Sequence, residues 1–149
     1  MRLSLVLALC LSACPLFAAD PPETQAIVAT VQKLFDAMAS KDGAAIRSLT
    51  VPGMAITSLR ANGQSSVTPI EKFADNIAAA QGTLLEHMWD PKVQVEGNIA
   101  TLWAPYNFHR DGKFTHCGID AFNLLKTADG WKIGALSYTV VQQGCPTPK

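Results

Sequence analysis

The sequence predicts an α+β domain in which N-terminal helices pack on one side of a curved antiparallel sheet. In the first half of the chain, apolar residues recur at three- and four-residue spacing, as on one face of a helix. From residue 84 onward the period changes to two, which is typical of half-buried strands. Turn dipeptides such as Asp111-Gly112 separate these later segments. Helices followed by a run of antiparallel strands are typical of the α+β class.

Composition limits the function classes. The chain has 149 residues, of which 48% are hydrophobic and 16% charged, so it predicts one domain with a packed core. Twelve basic residues balance twelve acidic ones, so the sequence gives no sign of the basic patch expected of a nucleic-acid or anionic-membrane binder. We find no phosphate-binding loop, zinc-ligand cluster or activated-serine motif, and we therefore predict neither a cofactor nor a metal site.

Residues 1–19 are predicted to be an export signal, and residues 20–149 the mature domain. One positive residue precedes an apolar run of about ten residues, whereas a membrane span needs about 20. Cleavage after Ala18 or Ala19 suits a signal peptidase, but Leu11-Ser12-Ala13-Cys14 also resembles a lipobox, in which Cys14 carries a lipid anchor. Both routes predict a periplasmic or secreted protein without a membrane span.

Removal of the signal leaves two cysteines, Cys117 and Cys145. In an oxidising compartment this pair predicts a disulfide, with two free thiols as the alternative. A closed loop of about 28 residues would contribute roughly 3 kcal/mol in the chain-entropy model. A final hairpin centred on Ala128-Asp129 places Cys117 opposite Val140, and Gly144 allows the chain to turn back toward it.

The helices have recognisable starts and stops. The first is predicted from Pro21, with Asp20 as its cap, to near Ser40. Its apolar stripe consists of Ile27, Val28, Val31, Leu34, Phe35 and Met38. Asp42 is predicted to cap a short second helix that carries Ile46 and Leu49.

A weakly alternating segment, Met54 to Leu59, follows and predicts an edge strand. Residues 62–66 have the composition of a loop. Thr68 is predicted to cap a third helix, which Gly82 ends.

The remaining segments predict a meander of strands. Residues 84–89 and 92–96 are interpreted as one strand interrupted at Asp90-Pro91, where proline implies a bulge or a sheet edge. The other strands are predicted over residues 99–109, 113–126 and 131–141.

The arrangement resembles the nuclear transport factor 2-like superfamily and, within it, the SnoaL-like branch of small exported bacterial proteins. The resemblance covers nearly all of the mature chain and is carried by Leu34-Phe35-Asp36-Ala37, the helix after Thr68-Pro69, and three late segments: residues 103–108, 116–122 and 129–133. It implies a cone-like scaffold that hosts isomerases, dehydratases, hydrolases and non-catalytic binders, so it says little about activity.

The hairpin register predicts the candidate site. If Asp111-Gly112 forms a two-residue turn, Asn107 lies opposite His116 and Trp103 opposite Asp120. One sheet face then combines polar and aromatic side chains, as a small-molecule pocket requires. The predicted ligand-binding residues on this face are Trp103, Asn107, His116, Asp120 and Phe122. The opposite face, including Tyr106, is predicted to be core.

Three functions follow from this pattern. The first is binding of a small apolar or mixed-polarity molecule between helices and sheet. The second is a lyase, isomerase or hydrolase in which Asp120 and His116 act as acid and base, although the two residues also suit a simple ion pair on a solvated surface. The third is an interaction module, a homodimer formed through the outer sheet face.

Two mechanisms implied by the resemblance are not predicted for this chain. A steroid-isomerase-like site needs a tyrosine and a second acid beside the aspartate. The predicted register puts Tyr106 on the other face, and Glu71 and Asp75 are expected to be exposed. An epoxide-hydrolase-like site needs an arginine between two acids, whereas Arg47, Arg60 and Arg110 fall in helix or loop contexts.

Overall fold

The computed structural model describes residues 21–147, so the predicted signal, the Asp20 cap and Cys14 lie outside the described residues. Three helices and seven strands occur in this range. The helices are α1 (Pro21–Ala39), α2 (Gly43–Ser48) and α3 (Ile70–Ala78). The strands are β1 (Ala55–Arg60), β2 (Ser65–Pro69), β3 (Leu84–Met88), β4 (Lys92–Glu96), β5 (Ile99–Arg110), β6 (Lys113–Thr127) and β7 (Gly130–Val140). The α+β prediction is confirmed.

Helices α1 and α2 form where they are predicted, whereas α3 ends at Ala78 and not at the predicted Gly82. The Asp42 side chain accepts a hydrogen bond of 2.9 Å from the Ala45 backbone N–H and so caps α2. The α1 stripe is buried against the sheet, with Ile27 and Val31 fully inaccessible. Each such side chain stabilises the fold by about 1.5–3 kcal/mol. Helix α1 therefore covers one face of the sheet and closes the space above it.

The sheet is mixed, with strand order β2-β1-β7-β6-β5-β3 and with β4 also paired to β5. Strands β1 and β7 run parallel, which corrects the prediction of a wholly antiparallel sheet. The prediction that β1 is an edge strand is also wrong, because β2 pairs with its other side. Residue Thr68 lies in β2 and caps nothing, because the pairing of β2 with β1 takes it into the ladder.

The interrupted strand is confirmed. Strands β3 and β4 both pair antiparallel with β5 and so occupy one edge of the sheet. Asp90, at the interruption, has a positive φ of 46°.

A β-bulge in β6 decides which residues face the helices. The two-residue turn pairs Arg110 with Lys113, as predicted. His109 then pairs with Phe114, but Phe108 pairs with His116, which leaves Thr115 as the extra residue. A shift of one residue moves every following side chain of β6 to the opposite face. The predicted register is therefore wrong beyond the turn, and Asp120 lies opposite Ala104 rather than Trp103.

A second shift, at Gly134 in β7, places Cys117 opposite Val141 rather than the predicted Val140. The structure joins Cys117 to Cys145 by a disulfide, with the two Cα atoms 5.8 Å apart. The bridge ties the segment after β7 to the middle of β6.

The outer face of the sheet carries exposed apolar side chains, of which Trp103, 49% exposed, is the largest. Among residues 21–147, none of the helices combines the length and the apolar character that crossing a membrane demands.

Candidate functional site

A cavity of about 150 Å³ lies between the helices and the concave face of the sheet. Its apolar wall comes from α1, α3 and several strands and consists of Leu34, Phe35, Met38, Ile56, Phe73, Ile77, Phe108 and Leu136. Its polar groups come from strands and are Glu86, Tyr106, His116, Asp120 and Tyr138. An apolar enclosure with a few convergent polar groups is the usual form of a small-molecule site.

Asp120 lies at the floor of this cavity and is only 1% exposed. Its neighbours across the sheet are Ala104 on β5 and Tyr138 on β7. The Oδ2 atom is buried, and no described residue other than Glu86 offers it a hydrogen-bond donor. An unsatisfied buried carboxylate oxygen costs free energy, because it has lost its water without gaining a partner.

Glu86 is the second acid of the site. It lies in β3 opposite Phe108, on the same face as Asp120, and its carboxyl group interacts with that of Asp120. Burial raises the pKa of Glu86 well above its ordinary value, and the negative charge of Asp120 raises it further. Burial raises the pKa of Asp120 to about 7, while a hydrogen bond with Glu86 opposes that rise. Two buried carboxyl groups in contact cannot both ionise cheaply, so Glu86 keeps a proton and donates it toward Asp120.

Tyr106 lies beside this pair, but its hydroxyl group is already engaged. It donates a hydrogen bond of 2.9 Å to the backbone carbonyl of Thr139. That carbonyl approaches closely only because residue 118 is glycine, since a Cβ atom there would lie 1.9 Å from the Thr139 oxygen. Burial raises the pKa of Tyr106, and the two carboxyl groups raise it further, so the phenol stays protonated.

Tyr138 forms the opposite wall, edge-to-face with Tyr106 at a ring-centroid distance of 6.1 Å. Burial raises the pKa of Tyr138 despite a hydrogen bond with Ser58 that lowers it. Both tyrosines thus remain neutral and surround the carboxyl pair with aromatic surface.

His116 stands on the same concave face, two residues before Gly118. Its Nδ1 atom lies 2.9 Å from the Thr115 hydroxyl oxygen, and its ring packs on Phe108 at 5.2 Å. Burial lowers the pKa of His116, and the positive charge of Arg60 lowers it further. The imidazole is therefore neutral at neutral pH.

Because of the bulge, the residues that the sequence predicted to form the site lie on two different faces of the sheet. Asp120 and His116 line the cavity. Phe122 is buried on the same face, where it packs against Phe35 at 6.3 Å and lies outside the cavity wall. Trp103 and Asn107 lie on the outer face, so the prediction that they share a face with Asp120 is wrong.

Sequence reasoning missed Glu86 and placed Asp120 and His116 on the face opposite the one that carries Tyr106. A signal for Glu86 was present, because it lies two residues from each of the buried residues Leu84 and Met88 and therefore on the same face of β3. An acidic residue in the apolar phase of a strand points its carboxyl group toward the core. The residues of β6 that share a face with Tyr106 depend on the bulge, which no residue pattern predicts.

The acids that the sequence analysis expected to be exposed are exposed. Arg47 forms ion pairs with Glu71 and Asp75 where α2 meets α3. This set has the acid–arginine–acid order of an epoxide-hydrolase-like site, but it lies on the surface and outside the cavity. Residues 21–147 contain no group of three or more His, Cys, Asp or Glu side chains arranged to hold a metal ion.

Comparisons with solved structures identify the fold. A protein from Mycobacterium tuberculosis described as of unknown function superposes with a TM-score of 0.70 at 16% identity, covering 83% of this chain and 74% of that one. An NTF2-like superfamily protein from Salmonella enterica gives 0.64 at 15% identity, covering 83% and 94%. A protein from Streptomyces avermitilis, described as "a putative dehydratase from the NTF2-like family", gives 0.65 at 18% identity, covering 81% and 99%.

No curated protein matches the sequence. A family model does match: residues 22–139, most of the chain, fit the family described as "Putative lumazine-binding". The chain therefore belongs to this family, and its fold is that of the nuclear transport factor 2-like proteins.

Proposed function

We propose that the protein binds a small, mainly apolar molecule in the cavity, with one polar group of the ligand meeting the carboxyl pair of Glu86 and Asp120. The observation that carries this proposal is the carboxyl pair in the cavity wall: one proton shared between Glu86 and Asp120 leaves their other carboxyl oxygens without a donor among the described residues. A ligand hydroxyl or N–H group would supply that donor. The family description, which names lumazine, supports a small heteroaromatic molecule as one class of ligand.

The size and the lining of the cavity support the same ligand class. A volume of about 150 Å³ admits one aromatic ring or a short branched chain. Each 100 Å² of apolar surface removed from water contributes about 2.5 kcal/mol to binding before the costs of association are subtracted. We therefore expect dissociation constants in the micromolar range for a molecule of this size.

Native mass spectrometry of protein purified from its own compartment tests the proposal directly, because a retained ligand adds its mass to the chain. A titration with phenol, which has a single aromatic ring and one hydroxyl group, followed by amide chemical shifts, tests the location. We expect the largest shifts at Asp120, His116 and Tyr138 and none at Trp103, which serves as the outer-face control. No retained mass and no shift at the cavity residues would overturn the proposal.

A second candidate function, acid–base catalysis, is favoured by the carboxyl pair itself. Glu86 would present a proton donor and Asp120 an acceptor whose pKa, about 7, suits proton transfer at neutral pH. Such a pair serves elimination or isomerisation, and one structural relative is described as "a putative dehydratase". His116 lines the same cavity and would present a neutral imidazole as a further base. In a binder, Asp120→Asn changes affinity alone, whereas in an enzyme it removes most of the turnover and leaves substrate affinity within a few fold.

We also propose that the protein is exported and works in the periplasm or outside the cell. The disulfide supports an oxidising compartment. Mass measurement of the mature protein distinguishes a chain that begins at residue 19 or 20 from one with a lipid on Cys14. Untrimmed protein in the cytoplasm would contradict export.

A further inference from the structure

The hydroxyl group of Thr115 lies between two partners at the bulge. It donates a hydrogen bond of 2.9 Å to the backbone carbonyl of Phe108, which can only accept. Its oxygen also lies 2.9 Å from Nδ1 of His116. A hydroxyl group has one proton, and the Phe108 carbonyl uses it. The contact with His116 is therefore a hydrogen bond only if Nδ1 carries a proton and donates it to Thr115.

That assignment fixes the chemistry of the other ring nitrogen. A neutral imidazole has one N–H group and one lone pair, and a proton on Nδ1 leaves the lone pair on Nε2. His116 lines the cavity, and Nε2 has no hydrogen-bond partner among residues 21–147. Burial and the positive charge of Arg60 both lower the pKa of His116, which keeps the ring neutral. The packing of the ring on Phe108 and edge-to-face against Tyr106 holds its orientation.

We infer that Thr115 is a positioning residue: it holds His116 as the Nδ1–H tautomer, so that Nε2 accepts a hydrogen bond in the cavity and selects ligands that carry a hydroxyl or N–H group. The selection rests on the proposed binding function, whereas the tautomer is a property of the free protein. Thr115 is also the residue that the bulge adds to β6. The same local feature thus turns His116 toward the cavity and sets its protonation pattern.

The first test needs no ligand. Long-range proton–nitrogen correlation spectra at pH 7.5 distinguish the two tautomers of each histidine ring, and His116→Gln identifies the signals of His116. We expect the Nδ1–H pattern in the wild-type protein and in Thr115→Ser, which keeps the hydroxyl. We expect a mixture of tautomers in Thr115→Val, which keeps the shape and removes the hydroxyl. An Nε2–H pattern in the wild type, or an unchanged pattern in Thr115→Val, would overturn the inference.

The second test compares catechol with 2-methoxyphenol, which differ by one donor proton. Catechol can donate one hydroxyl proton to the carboxyl pair and the other to Nε2, whereas 2-methoxyphenol has one proton for the two acceptors. A hydrogen bond to Nε2 contributes about 1 kcal/mol, which is about a fivefold difference in affinity. We expect catechol to bind about fivefold more tightly in the wild type and in Thr115→Ser, and no more tightly than 2-methoxyphenol in His116→Phe, which has no acceptor. In Thr115→Val we expect a smaller preference than in the wild type, because Nε2 is an acceptor in only part of the tautomer mixture. A preference that persists undiminished in both His116→Phe and Thr115→Val would assign selection to the carboxyl pair and overturn the role of His116. If neither probe binds the wild type, the proposed function fails, while the ring spectra still decide the role of Thr115.

Discussion

Because of the carboxyl pair, the free energy of unfolding is expected to fall as pH rises. The variant Asp120→Asn measures the size of this fall. The pKa of Asp120 rises from 3.8 in the unfolded chain to about 7 in the folded one. Between these values the folded state binds a proton that the unfolded state has lost, so protonation favours folding at low pH and this contribution disappears as pH rises through 7. The shift corresponds to about 4 kcal/mol, at roughly 1.4 kcal/mol for each pH unit. Asparagine is neutral throughout this range and removes the effect of Asp120.

Urea denaturation at pH 4.5, 6.0 and 7.5, with the disulfide intact, provides the measurement. The quantity of interest is the unfolding free energy of Asp120→Asn minus that of the wild type. We expect this difference to increase by about 3 to 4 kcal/mol in favour of the variant between pH 4.5 and 7.5. The titration of His116 occurs in both proteins and largely cancels in the difference. Asp129→Asn, an exposed change in the last turn, serves as the control and should give a constant difference. Parallel curves for Asp120→Asn and wild type would refute the reasoning.

Three further results are expected. Gly118→Ala should lower the free energy of unfolding by about 1–3 kcal/mol, because the new Cβ meets the Thr139 carbonyl. The control is Gly134→Ala, whose Cβ has its closest contact, 3.3 Å, with the flexible Leu125 side chain and which should therefore cost much less. Equal losses of unfolding free energy in denaturation curves would contradict this account. Untreated mature protein should show no reactive thiol, and reduction of Cys117–Cys145 should lower the melting temperature by several degrees; two titratable thiols would show that the bridge is absent. Light scattering should find a homodimer that Trp103→Glu on the outer face weakens, and a monomer at micromolar concentration would argue against this.

The elements that could be predicted from sequence are those whose signals are local. The cap at Asp42, the stripe of α1 and the turn at Asp111-Gly112 each depend on residues within a few positions of one another. Strand β2 could not be predicted, because Ser65 and Ser66 have no strand preference of their own. They pair with β1, and the Ser66 hydroxyl lies 2.8 Å from that of Ser58. The parallel pairing of β1 with β7 likewise joins segments about 80 residues apart.

The candidate site was predicted in part for the same reason. Asp120 stands out locally as a carboxylate within an apolar strand, and His116 stands out beside it. Their partners depend on register, and register depends on a bulge. Nothing in Phe114-Thr115-His116 marks the middle residue as unpaired, so alternation alone assigned Tyr106 and Asp120 to opposite faces. One extra residue reverses that assignment.

The bulge also explains why the acidic pair is tolerated. In the unshifted register Asp120 would share the outer face with Trp103 and keep its water. The shift places it under α1, where its charge has lost that water and where its pKa rises to about 7. Glu86 reduces the cost by sharing a proton, but no other described residue donates a hydrogen bond to the pair. Apolar side chains in both positions would stabilise the domain more at neutral pH. A sacrifice of stability confined to one cavity is typical of a functional site. This cost supports the proposal that the ligand's polar group meets the carboxyl pair and not the exposed set formed by Arg47.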